Sequence, residues 1–584
     1  MKLINKVIIT VITILVFSCN LTDLDFLDNP NAVSPDQAGI DFLYNNIQLQ
    51  FENFYSAANT RGDGPGRLVA EGGGFTYNDM TSPATWNFIW NVAYARLFPD
   101  IEALLDLAED DLDIHAGSAL ILQSYVLTTL VDFFGDVPWT EALQGTDVIS
   151  PGRDSGADIY AAAEAMLDDA IARLSGTQAA TPANDFFYDG DPDKWITLAN
   201  TLKLRIYNNL RLVDAGAGAK MQAIISAGDI IDSPGEDFVF QFGKQRLNPN
   251  SRHPFYTEYY ESTDGFPYMS NYYMWLLHSE KRDANGDPLL LQDPRLRFYF
   301  YRQETNLTNI DPNAWSCERS DEPDLVSGLN FRPDSYTSVD PDMVFCITSL
   351  DGYWGRDHLN GSGIPPDGPL RTTYGLYPGG GLFDDNGEEF TQESGTLGGL
   401  GEGIWPILTS SFVYFIRAEA AEVGFTSEDA RTLLEQGVRA SMAKVRTFEK
   451  FIDGGKVVAS DPVTGDDITL ADVYLDPLDD DIDDYIANVL SFYDTPPPRS
   501  DKLDVIMKEY LIALFGNGLE AYNNIRRTGR PFNVQPPIDD GAGTFAWSAW
   551  YPADHVDLNA NASQRESITE QPFHFAPMDV NSVK

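Results

Sequence analysis

Apolar residues recur three and four positions apart through two long stretches of the chain, and the spacing disappears between them. In the first stretch the pattern predicts helices over 85–110, 115–134, 157–174, 193–213 and 217–227. In the second it predicts helices over 405–424, 427–450, 479–493, 502–515 and 518–527. Short links between successive helices imply antiparallel pairs. No repeat of fixed period accompanies the pairing. An earlier helix is announced by Ser34 as N-cap, Pro35 at the first helical position and Gln37 at the capping-box position. Residues 61–83 read as a Gly-rich loop. From 235 to 404 Gly, Pro, Asp, Asn and Tyr dominate, with turn signals at Asn285-Gly286-Asp287-Pro288 and Pro378-Gly379-Gly380-Gly381. Phe238-Val239-Phe240 reads as a minor strand inside it. The fold class is therefore mostly α, and residues 34–584 form one domain. A helical scaffold built from 34–234 and 405–530 carries a loop-rich insertion over 235–404.

The N-terminus has a different pattern. Lys2 and Lys6 precede an apolar run from Val7 to Phe17, and Ser18-Cys19 follows. A membrane-spanning helix needs about 20 apolar residues, and this run has roughly half that. A basic start, a short apolar core, a small residue and a cysteine make a lipoprotein signal peptide over 1–18. Cleavage leaves Cys19 first and open to acylation, with 19–33 as a polar tether. The rival reading is an ordinary secretory signal that contains a cysteine. Either address places the folded body outside the cytoplasm.

Charge narrows the partners. Against 39 Lys and Arg stand 88 Asp and Glu, a net charge of −49. No basic surface is left to displace phosphate counterions, so nucleic acid is excluded as a partner. The same excess disfavours lying flat on an anionic leaflet, whereas a body held off a membrane by a lipid anchor tolerates it.

Cys317 and Cys346 stand outside any Cys-x-x-Cys and have no histidine at ligand spacing, so zinc is not expected. In an exported chain they can pair and close a loop of about 29 residues, which chain entropy values at roughly 3.5 kcal/mol. The alternative is two free buried thiols. Asp283, Asn285 and Asp287 open like a calcium loop, but Pro288 and Pro294 replace its glycine and glutamate, so a tight turn is expected and no metal. The run Asp479-Asp480-Asp481 with Asp483 and Asp484 reads as a solvated helix start.

No nucleophile elbow, metalloprotease helix or phosphate-binding glycine loop is present, and the six histidines fall in no motif. We expect no enzyme and no cofactor. The aromatic content, 10 Trp, 27 Tyr and 34 Phe, points instead to binding. Sugars stack their C–H faces on Trp and Tyr and offer hydroxyls to Asp, Asn and Arg, and peptides also dock on aromatic surfaces. Tyr353, Trp354, Arg356 and Asp357 put rings, a guanidinium and a carboxylate within five residues, flanked by Gly352 and Gly355. They are the expected ligand-binding set, with Tyr77 joining from the first loop. Tyr268, Tyr272, Tyr273 and Trp315 also lie in loop-like sequence, where packing of the insertion is the competing reading. Trp86, Trp90, Trp195 and Trp275 sit in helix-like patterns and read as core.

Several segments together resemble the SusD/RagB family of outer-membrane nutrient-binding lipoproteins. They are Tyr125 to Trp139 with its Phe134-Gly135-Asp136-Val137-Pro138 turn, Ile159-Tyr160, Lys194-Trp195 and Leu202-Lys203-Leu204-Arg205. Gln292-Asp293-Pro294-Arg295-Leu296 and Gly352 to His358 follow, then Arg417-Ala418-Glu419-Ala420-Ala421, Gly518-Leu519-Glu520-Ala521-Tyr522 and Arg526-Arg527-Thr528-Gly529. Tyr551-Pro552 echoes a late motif, although Asp554-His555 stands where a glutamate is expected. The resemblance implies a right-handed scaffold of tetratricopeptide-like helix pairs. It also implies a lipid-anchored, outward-facing position as lid of a TonB-dependent SusC-like outer-membrane barrel, capturing a glycan or peptide, with the insertion facing the barrel. A non-transport accessory subunit of an outer-membrane assembly uses the same fold and is the rival function.

Overall fold

A computed structural model describes residues 39–70, 76–108, 112–261, 268–282, 289, 292–302, 334–345, 352–353, 355–360, 372–386, 395–538 and 541–575. Cys19, Trp354, Cys317, Cys346, the Ser34 cap and the Asp283 to Asp287 turn lie outside them. The principal helices are α1 (Ile40–Asp63), α2 (Phe98–Ala108), α3 (Asp113–Phe134), α4 (Gly156–Leu174), α5 (Pro192–Leu210), α6 (Ala217–Ala227), α7 (Asn271–His278), α8 (Ser410–Glu422), α9 (Ala430–Arg446), α10 (Leu478–Asp494), α11 (Lys502–Ala513) and α12 (Gly518–Thr528). Consecutive helices pair, α3 with α4, α5 with α6 and α8 with α9, and the two ends of the chain meet where α12 packs on α1. The fold is the mostly helical one expected, with tetratricopeptide-like pairs.

Side-chain caps set many helix starts. Ser155, Asp191, Thr409, Asp429, Asp501 and Asn517 each accept a hydrogen bond from a first-turn backbone N–H. The centre is α3, buried along its length from Ile114 to Phe134. It is long and apolar enough to cross a membrane, but protein surrounds it completely, so core packing accounts for its composition.

The segments that carry the family resemblance converge inside this core. Arg205 Nε on α5 is 2.9 Å from Glu520 Oε2 on α12, and its Nη2 is 3.4 Å from Asp132 Oδ2 on α3. Arg527 on α12 holds Glu419 on α8 through two bonds of 2.9 and 2.8 Å, and Arg211 approaches the same carboxylate at 2.5 Å. Asn523 donates to Asp132 at 2.8 Å. His574 brings the C-terminal segment in, its Nε2 3.1 Å from Asp132 Oδ1. Buried charges of this kind are tolerated only as a fully paired set, so the network ties the four helices into one register.

The insertion is closed at its base. Its first strand, Phe238–Gln241, pairs antiparallel with Ile404–Leu408 from its end. Sequence reading starts a helix at 405, whereas the chain stays extended to Leu408 and turns helical only after the Thr409 cap. Pairing with Phe238–Gln241 explains the delay, and Pro406 adds to it by pushing Trp405 toward extended backbone. Within the insertion, α7 shows no apolar stripe because all eight of its residues are buried. At its other edge, Arg295 is fully buried between Asp293 (2.9 and 2.7 Å), Ser441 of α9 (2.9 Å) and Glu509 of α11 (3.1 Å), fixing the insertion to the scaffold.

Candidate ligand cavity

The described members of the expected ligand set are buried. Tyr77, Tyr353, Arg356 and Asp357 are 1, 1, 8 and 2% exposed. Tyr77 accepts a bond from Arg67 Nη2 at 3.0 Å and meets His358 Nε2 at 3.1 Å. Asp357 accepts from Gln535 at 2.9 Å and from Asn271 at 3.3 Å. The Arg356 guanidinium lies 4.2 Å from the Tyr268 ring centre, and that of Arg302 lies 4.5 Å from the Tyr353 ring. Gly355 is required for close approach, as a Cβ there would stand 1.8 Å from the Met269 carbonyl oxygen. These side chains fasten the loop to the body, and their rings do not face solvent as the sequence suggests. Burial, with the charge of Arg67 added, holds His358 well below the usual imidazole range, so it stays neutral. Tyr268, Tyr272 and Tyr273 are likewise interior, as are Trp86, Trp90, Trp195 and Trp275.

A cavity of about 510 Å³ opens elsewhere, where the insertion meets α10 and α11. Small-molecule sites typically enclose about 300–1,000 Å³. Val505, Lys508 and Glu509 reach it from one face of α11, being three and four residues apart. Val489 and Phe492 come from the last turns of α10. The link between these helices contains Pro497-Pro498, which cannot extend α10 and forms a stiff apolar wall. Trp275 of α7 and Phe532 beyond α12 add aromatic surface, and Asp340 to Asp342 form the opposite rim.

The floor is ionic. Lys508 Nζ is 2.5 Å from Glu280 Oε1 and 5.4 Å from the Phe532 ring centre. Burial opposes charge on both groups, but the ammoniums of Lys508 and Lys281 outweigh it and hold the Glu280 carboxyl below its usual range. Glu280 and Asp504 raise Lys508 in turn, again against burial. Lys281 Nζ is 3.0 Å from Glu509 Oε1, an ion-pair distance without hydrogen-bond alignment. Arg282 and Asp342 pair at 3.3 Å at the mouth. Asn533 donates to both Glu280 (3.3 Å) and Asp340 (3.0 Å). The arrangement offers an apolar stacking wall facing fixed donors and acceptors, which suits a polyhydroxylated or peptidic ligand. Sequence reading missed it. Of its lining residues only Trp275 had been singled out, as core.

Two family models match the chain. "Starch-binding associating with outer membrane" covers residues 43–316, and "Susd and RagB outer membrane lipoprotein" covers 402–561. No curated protein matches. Among solved structures, a SusD/RagB family protein from Bacteroides thetaiotaomicron is 18% identical, with a TM-score of 0.59 over 90% of this chain and 95% of that one. A SusD homologue from Bacteroides fragilis is 16% identical, with a TM-score of 0.60 over 90% and 94%. A chitin-binding SusD homologue from Flavobacterium johnsoniae is 19% identical, with a TM-score of 0.53 over 86% and 89%. Identities this low show a shared fold.

Proposed function

The chain belongs to the SusD/RagB family of outer-membrane lipoproteins, and on that premise we propose that it captures a glycan or peptide nutrient outside the cell as lid of a TonB-dependent SusC-like barrel. Cys19 is its lipid anchor in this reading, which keeps a strongly acidic body close to the membrane without resting on it. The cavity between α10, α11 and the insertion is the ligand site. The observation that carries the binding role is the pairing there of an apolar Pro497, Pro498 and Phe492 wall with the Lys508–Glu280 floor, in a space of ligand size. The capturing step needs no bond chemistry: stacking supplies affinity and the ordered donors supply orientation.

Co-purification from native membranes tests the proposal. One barrel partner, with closure that depends on added ligand, is the expected result. Additional stable subunits and no ligand response would favour the accessory-subunit role. A Cys19→Ser variant that stays in the membrane fraction without any barrel partner would remove the lipid anchor from the account.

A further inference from the structure

Eight charged side chains line the cavity: Glu280, Asp340, Asp342 and Glu509 against Lys281, Arg282, Arg499 and Lys508. They balance, inside a chain whose net charge is −49. An anionic group repelled by most of the surface meets no net repulsion at this mouth. Three of the four cations already have carboxylate partners, at 2.5 Å for Lys508, 3.0 Å for Lys281 and 3.3 Å for Arg282. The remaining carboxylate, Asp340, is held by Asn533 and by the backbone N–H of Asp342 at 2.9 Å.

Arg499 differs from the other three. It is exposed on the rim, and among the described residues no carboxylate pairs with it. Its Nη1 donates to the Val339 carbonyl at 3.0 Å, which tethers the guanidinium across the mouth. Its φ of 71° is a left-handed conformation that a residue of this size adopts only at a cost, held here between the Pro497-Pro498 wall and the Asp501 cap of α11. A tethered guanidinium with N–H donors to spare matches a carboxylate bidentately.

We propose that Arg499 receives a carboxylate of the ligand, so that the cavity prefers an acidic sugar or a free peptide C-terminus to its uncharged counterpart. The proposal rests on the cavity being the ligand site. Calorimetry on the mature chain with matched pairs tests it: trigalacturonate against its methyl ester, and trialanine against trialaninamide. In one pair the acid binds about ten-fold or more tightly than its neutral partner, and that pair identifies the source of the carboxylate. Added salt shrinks the difference. Arg499→Gln abolishes it and Arg499→Lys retains part of it. Equal affinities within both pairs, no binding of either acid, or a preference that survives Arg499→Gln overturns the assignment. Ser500→Trp and Val505→Trp, checked for an unchanged fold by melting temperature, block the cavity. Acid binding that persists in a folded blocked variant overturns the cavity as the site. Binding lost on blocking but indifferent to Arg499→Gln overturns the carboxylate preference alone.

Discussion

Lys508 Nζ and Glu280 Oε1 stand 2.5 Å apart on the cavity floor, joining α11 of the scaffold to the insertion across 228 residues of sequence. Both side chains are about nine-tenths buried, so neither charge is easily left alone. Lys508→Met should therefore destabilise the protein by about 3–5 kcal/mol, the usual cost of stranding one member of a buried pair. The double variant Lys508→Met, Glu280→Leu should recover most of the loss. Denaturant titration of the two variants checks this, and a single variant as stable as wild type would show that the pair contributes little.

Acid should unfold the chain over a defined window. Burial pushes Asp132 toward its neutral form, but His574, Arg205 and Tyr160 outweigh it and hold its pKa at about 2. Burial acts likewise on Glu419, and Arg211 and Arg527 outweigh it to give about 2. Both groups bind fewer protons folded than unfolded, so each adds stability above its unfolded pKa and loses it as pH falls through the folded value. The contribution is on the order of 2–3 kcal/mol each. Melting temperature should begin to decline below about pH 6.5, where the unfolded chain protonates histidines that burial keeps neutral in the fold (His253, His358, His555 and His574), and should fall more steeply between about pH 4.5 and pH 2 as the carboxylates are protonated. Asp132→Asn should lower the plateau and soften the slope. A melting temperature that does not change from pH 5 to 2.5 would contradict the network's role.

The scaffold is legible in the sequence because its helices bury one face each. In α10 the buried positions Leu478, Ile482, Tyr485, Ile486, Val489, Leu490 and Tyr493 keep the three- and four-residue spacing that periodicity detects. The acidic first turn of the same helix, Asp479 to Asp481, reads correctly as a helix start. Periodicity fails for α7, which is buried all round, and for Ile404–Leu408, where pairing with Phe238–Gln241 keeps an apolar run extended. The exposure of the expected ligand loop is misread for another reason. Composition marks Tyr353 to Asp357 as a loop, and a loop reads as exposed, whereas Asn271 and Gln535 draw Gly355 and Asp357 inward from distant parts of the chain. Lys508 and Glu280 look like ordinary solvated charges, because nothing in either neighbourhood announces the other.

Aromatic substitutions should separate the interior set from the cavity wall. Tyr77 is fully enclosed, with its hydroxyl held by Arg67 and His358 and its ring edge-on to Phe545 at 5.6 Å. Tyr77→Ala removes that packing and strands the partner groups, so it should cost about 3–5 kcal/mol of stability. Its effect on ligand affinity should vanish once the folded fraction is taken into account. Phe492 is only half-buried on the cavity wall, so its ring adds less to the core. Phe492→Ala should cost about 1 kcal/mol or less in stability but about 1 kcal/mol or more in binding, roughly a five-fold or greater loss of affinity. Melting temperature and calorimetric affinity measured on both variants give a two-by-two comparison. If Phe492→Ala binds like wild type while folded Tyr77→Ala loses affinity, the ligand site lies at the Tyr77, His358 and Asp357 cluster, and the cavity by α10 and α11 has another use.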